Sequence, residues 1–166
     1  MADKSSFTSD EWQTLLESVM ATGLAVTAAE PSGLLGLLQE SFASGKMLAK
    51  ARTDAGANPL VKAVVDDLAT SSGRSASGSR LQQALAGKKP GEMKAVCIEI
   101  LGKADQILGA KAPGDAAAFE NWLRQIGQSV AEAATEGGFL GIGGVAVSEA
   151  EKATLAEISG ALKLAS

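Results

Sequence analysis

Thr8-Ser-Asp-Glu-Trp-Gln-Thr-Leu-Leu-Glu-Ser-Val-Met20 decides the fold class, because it holds both a helix start and the apolar stripe that follows one. The Thr8 hydroxyl can accept from the backbone N–H of Glu11 while the Glu11 carboxylate reaches back, the reciprocal arrangement of a capping box. Asp10 and Glu11 stand in the first turn, where the helix dipole favours negative charge. Trp12, Leu15, Leu16, Val19 and Met20 then recur at helical spacing and form one apolar face.

The same grammar continues along the chain. Pro31 breaks the first helix, and a second is predicted through Leu34, Leu35, Leu37, Leu38, Phe42, Met47 and Leu48. Asn58-Pro59 is an N-cap followed by a proline at the first helical position, opening a third through Leu60, Val61, Val64, Val65 and Leu68. Residues 70–80 are rich in Ser and Gly and poor in apolar side chains, which predicts a flexible surface loop, with a short helix after it around Leu81–Ala86. Pro90 and Pro113 open two further helices, the second with a stripe of Phe119, Trp122, Leu123, Ile126 and Val130. Ser148-Glu-Ala-Glu151 is another capping box and launches the last helix. Sustained two-residue alternation bounded by hairpin turns is missing, so no sheet is expected. The expected fold is all-α: a single-domain bundle of six or seven helices spanning residues 1–166.

Composition narrows the chemistry. Aromatic residues make up only 4% and Tyr is absent, so Ala, Leu, Val and Ile must fill the core. The chain has no histidine, which removes Ser-His-Asp and Cys-His catalysis and His-ligated zinc. Any metal would be held by oxygen, hence a hard cation such as calcium or magnesium. Cys97 is alone, so no intramolecular disulfide forms, and its apolar neighbours mark it as a structural thiol on a buried helix face. The net charge of −4 argues against nucleic-acid binding, although residues 46–94 carry +5 against −9 elsewhere. No signal peptide and no membrane-spanning run is read, so the expected location is cytoplasmic.

Two segments echo each other. Ala28-Ala-Glu30-Pro-Ser-Gly33-Leu-Leu-Gly36 and Ala134-Thr-Glu136-Gly-Gly138-Phe-Leu-Gly141 each close an Ala-rich helix with Glu, then Gly, then a large apolar pair and Gly. The preceding helices share a Trp beside Leu, at Trp12 with Leu15-Leu16 and at Trp122 with Leu123. An internal duplication about a pseudo-twofold axis would bring Glu30 and Glu136 to equivalent places.

Glu136-Gly137 followed by Ser148-Glu149-Ala150-Glu151-Lys152 resembles the TerB-like, tellurite-resistance-associated, all-helical family, in which an acid-Gly helix end precedes a Ser-acid-acid-Glu-Lys helix start. The resemblance spans residues 119–162 and more faintly 8–50. It implies an all-helical, stress-associated module. From the residues themselves, Glu30, Asp66, Asp67, Glu136, Glu149 and Glu151 admit two readings. They supply oxygens to a shared divalent cation, or they serve as caps, helix ends and solvated surface. The apolar loop containing Phe139, Leu140 and Ile142 either folds onto the core or docks on a protein partner or a second copy of the chain. The expected function is therefore a non-enzymatic binding module. A structural homodimer and an enzyme relying on carboxylates alone are the alternatives.

Overall fold

In the computed structural model the described residues are 2–29, 36–136 and 147–164, with 36–44 and 134–136 described as backbone alone. A short 3-10 turn at Lys4–Ser6 precedes seven α-helices: α1 (Ser9–Thr27), α2 (Gly36–Thr53), α3 (Pro59–Ala69), α4 (Ser71–Leu85), α5 (Pro90–Lys111), α6 (Pro113–Glu136) and α7 (Glu149–Ala161). The described residues contain no strand.

The bundle is organised around α1, which touches every other α-helix. The remaining six form a ring about it in the order α2, α3, α4, α5, α7, α6 and back to α2. α1 buries Trp12, Leu15, Leu16, Val19, Ala21, Ala25 and Val26 against this ring, and its first half keeps one polar side, with Asp10 exposed and Thr14 and Glu17 lining a hollow beside α4 and α5. Its buried hydroxyls are satisfied inside the helix itself. Ser18 donates to the carbonyl of Leu15 at 2.7 Å, Thr22 to that of Ser18 at 2.7 Å and Thr27 to that of Gly23 at 3.0 Å. Small side chains let the ring close tightly. A Cβ placed on Gly127 of α6 would stand 3.3 Å from both Thr22 of α1 and Leu155 of α7.

The helix starts form as the capping residues dictate. Thr8 and Ser148 each complete a capping box, with Glu11 and Glu151 as the returning carboxylates. Asn58 Oδ1 accepts from the N–H groups of Leu60 and Val61 at the head of α3. No helix among the described residues is long and apolar enough to cross a membrane.

One expectation fails. Residues 70–80, read above as a loop, belong to α4, and the short helix expected around Leu81–Ala86 is the end of that same helix. Thr70 caps the new helix by accepting from Gly73 N at 3.0 Å. Gly73, Ser77, Leu81 and Leu85, spaced four apart, form its buried face. The first two are small because the neighbouring backbone is close: a Cβ on Gly73 would lie 2.2 Å from the carbonyl oxygen of Asp67. Ser77 returns its hydroxyl to the carbonyl of Gly73 at 2.7 Å. Composition suggested a linker, whereas the small residues are the contact surface of a closely packed helix. The true turn lies after α4, where Gly87 adopts φ +72°.

Candidate functional site

The acids singled out from the sequence do not converge among the described residues. Asp66 is exposed and faces Arg52 at 3.2 Å. Glu149 is exposed and pairs with Lys152 at 2.7 Å. Glu151 is buried, but its carboxylate accepts from Ser148 N at 2.8 Å and is committed to the cap. Glu30 and the side chain of Glu136 lie outside the described residues, as do Phe139, Leu140 and Ile142. Among the described residues no group of three or more His, Cys, Asp or Glu side chains is placed to hold a metal ion. Cys97 is buried, and burial pushes its thiol up to about 11, as a structural cysteine requires.

Asp67, a candidate acid whose other reading was solvated surface beside Asp66, is half-buried. Its Oδ2 accepts from Trp12 Nε1 at 2.6 Å and from Lys4 Nζ at 2.7 Å. Burial alone would push this carboxyl up, but the hydrogen bonds from Lys4 and Trp12 and the charge of Lys4 outweigh it and hold it below the usual range. Asp115 makes a similar junction, accepting from Ala2 N at 2.8 Å and from Asn58 Nδ2 at 2.9 Å, and these bonds lower it as well. Each carboxylate ties the N-terminal segment to a helix end.

An acidic pair, Glu120 and Asp105, was also missed by sequence reasoning. Burial, reinforced by repulsion from Asp105 and opposed by Lys163, raises the Glu120 carboxyl. Lys163, at φ 48° just beyond α7, closes on Asp105 as an ion pair. Neither acid lines the two hollows described next.

Two surface hollows differ in what their walls offer. The larger, about 640 Å³, runs between α1, α4 and α5 and carries Glu17, Arg80, Glu99 and Lys103. Its charges are already matched: Arg80 pairs with the buried Glu17 and, at 3.0 Å, with Asp10, and Lys103 pairs with Glu99 at 2.7 Å. The smaller, about 170 Å³, opens where the end of α2 and the start of α3 meet α6. Met47, Ala51, Val61 and Trp122 give it an apolar wall, with Lys50 and Asp54 also lining it.

Trp122 is the unusual member. It is 7% exposed and stacks edge-on against the fully buried Phe119, ring centroids 5.5 Å apart. Its indole Nε1 is buried and finds no hydrogen-bond partner. A buried donor without an acceptor costs about 1–3 kcal/mol. Asn58, on the same wall, has no spare capacity to relieve it, because its oxygen caps α3 and its amide serves Asp115. The sequence marked Trp122 as core and gave no sign that its N–H would be left over.

Comparison of the chain with family models, with curated proteins and with solved structures returns no match, so the functional argument rests on these side chains.

Proposed function

We propose that the protein is a non-enzymatic binding module that takes a small molecule in the hollow between α2, α3 and α6. The observation that carries this reading is the hollow itself, where Met47, Ala51, Val61 and the Trp122 ring form an apolar floor edged by Lys50, Asp54, Asn58 and Gln125. A ligand seated there would cover apolar surface while its polar groups meet that edge. The larger groove supports binding less well, since its cations are matched by its own carboxylates. The reading keeps the non-enzymatic binding module expected from the sequence and moves its ligand from the helix-end acids to this hollow.

The test is a fragment screen on uniformly 15N-labelled protein. The chain has two tryptophans and so two indole N–H resonances. The expected result is a set of fragments that move the Trp122 signal in a saturable way and raise the melting temperature. A screen in which no fragment moves that signal overturns the reading. Calorimetric heat and a raised melting temperature with calcium or magnesium would replace it by a cation site built on Glu30 and Glu136.

A further inference from the structure

The apolar stripe of α1 leaves one member open to solvent. Trp12, Leu15, Leu16 and Val19 are buried, whereas Met20 is 38% exposed, the one large apolar side chain standing open among the described residues. Met47 and Met93 pack against the core instead. Across the seam, α4 offers Met20 only small residues. Ser77 is fully buried, and Gly78 has no side chain. A Cβ on Gly78 would stand 3.7 Å from Met20 Cε, and no other atom across the seam comes within 4 Å of it. The missing side chain leaves room beside the thioether.

The seam also holds a donor. Ser77 Oγ donates to the Gly73 carbonyl at 2.7 Å and lies 3.6 Å from Met20 Sδ, a contact that is only partly buried. A thioether accepts hydrogen bonds weakly, and oxidation turns it into a polar sulfoxide. The Ser77 hydroxyl can rotate toward such an oxygen, because the Gly73 carbonyl keeps its backbone partner in the helix. The unbranched methionine chain can swing that oxygen round to meet it.

We propose that Met20 is an oxidation site: its thioether takes one oxygen from hydrogen peroxide, and the sulfoxide is held at the α1–α4 seam by the Ser77 hydroxyl. A sulfur lone pair attacks one peroxide oxygen and the O–O bond breaks. The proton on the transferred oxygen passes to the departing hydroxide, which leaves as water. Sulfur is oxidised by two electrons and the peroxide is reduced by two. An oxygen forced onto a core methionine would disrupt its surroundings. Here it enters between solvent and a hydroxyl, so the bundle keeps its fold.

The test treats the full chain with hydrogen peroxide, follows each methionine by peptide mass spectrometry and melts the product. Met20 is expected to gain an oxygen about fivefold faster than Met47 or Met93. The oxidised protein is expected to melt within about 2 °C of the reduced one. Met20→Leu should abolish the early uptake and leave the rates at Met47 and Met93 unchanged. Ser77→Ala strands no polar group, so the reduced variant should melt close to the reduced parent. Once oxidised, it should melt about 2–4 °C below the oxidised parent. Equal rates at the three methionines would overturn the site. Loss of cooperative melting on oxidation, or an oxidised Ser77→Ala as stable as the oxidised parent, would overturn the role of Ser77.

Discussion

The two tryptophans begin alike and end differently. Each packs on a phenylalanine at 5.5–5.7 Å between ring centroids, and each is walled in by the core. Trp12 gives its N–H to Asp67, which is anchored in turn by Lys4. Trp122 gives its N–H to nothing among the described residues and borders a hollow. The first is a finished piece of structure, because a buried donor with a charged acceptor is worth more than the water it left. The second holds the same ring at similar burial with the polar requirement unmet. In a folded protein, such an omission is rare and weakens the corner that carries it.

The largest effect that would sharpen this contrast is truncation. Trp12→Ala removes a fully enclosed ring from the central helix and is expected to cost about 3–5 kcal/mol in urea unfolding. Trp122→Ala, which opens onto an existing hollow, should cost less. Equal losses would show that both rings are purely structural.

Gly73→Ala attacks the Trp12 corner indirectly. Its Cβ would meet the Asp67 carbonyl oxygen at 2.2 Å, so α3 and α4 must separate and Asp67 must move. We expect a loss of about 2–3 kcal/mol, together with a shift of the Trp12 indole resonance and little change at Trp122.

A matched pair is the cleanest discriminator. Trp12→Phe strands the Asp67 carboxylate, while Trp122→Phe deletes a donor that had no partner. The first variant should be less stable than the second by about 1–2 kcal/mol in thermal or chemical unfolding. The reverse order would refute the assignment of the two donors.

Of the two tryptophans, acid should reach Trp12 through Asp67. The folded-state value of Asp67 is lowered, so its contribution is fully present above the ordinary carboxyl value of 3.8 and is lost as pH falls through the lowered one. In a titration from neutral pH downward, the Trp12 indole resonance should move with Asp67 protonation and that of Trp122 should hold still. Asp67→Asn should flatten the acid limb of the melting curve, though Asp115, also lowered, will retain part of it.

These expectations also mark how far the sequence could be read. The helix starts at Thr8, Asn58, Pro90 and Ser148 were legible because a cap is a local event, decided by three or four consecutive residues. The stripe of Phe119, Trp122, Leu123, Ile126 and Val130 was legible for the same reason, and all five are buried. Helix α4 was not, since Gly73 and Ser77 earn their places through the nearness of α3 and α1, which no local pattern encodes. The site was still less visible. A tryptophan in a stripe looks the same whether or not an acceptor stands opposite it, and Asp67 differs from Asp66 only in which way the helix happens to turn it. Asp66, Glu149 and Glu151 are surface pairs and a cap, while Asp67, Asp115 and Glu120 are distinguished by partners distant in the chain.

The placement of α1 has one more implication. Synthesis delivers this segment ahead of the six helices that will enclose it, yet its apolar circumference cannot be shielded until α5, α6 and α7 have followed. Many of its contacts join residues far apart along the chain, which slows folding relative to a bundle wound from neighbours. On the ribosome the heart of the molecule is thus made before its covering, a stretch of sticky helix that must be kept from straying while its wrapping is still being translated.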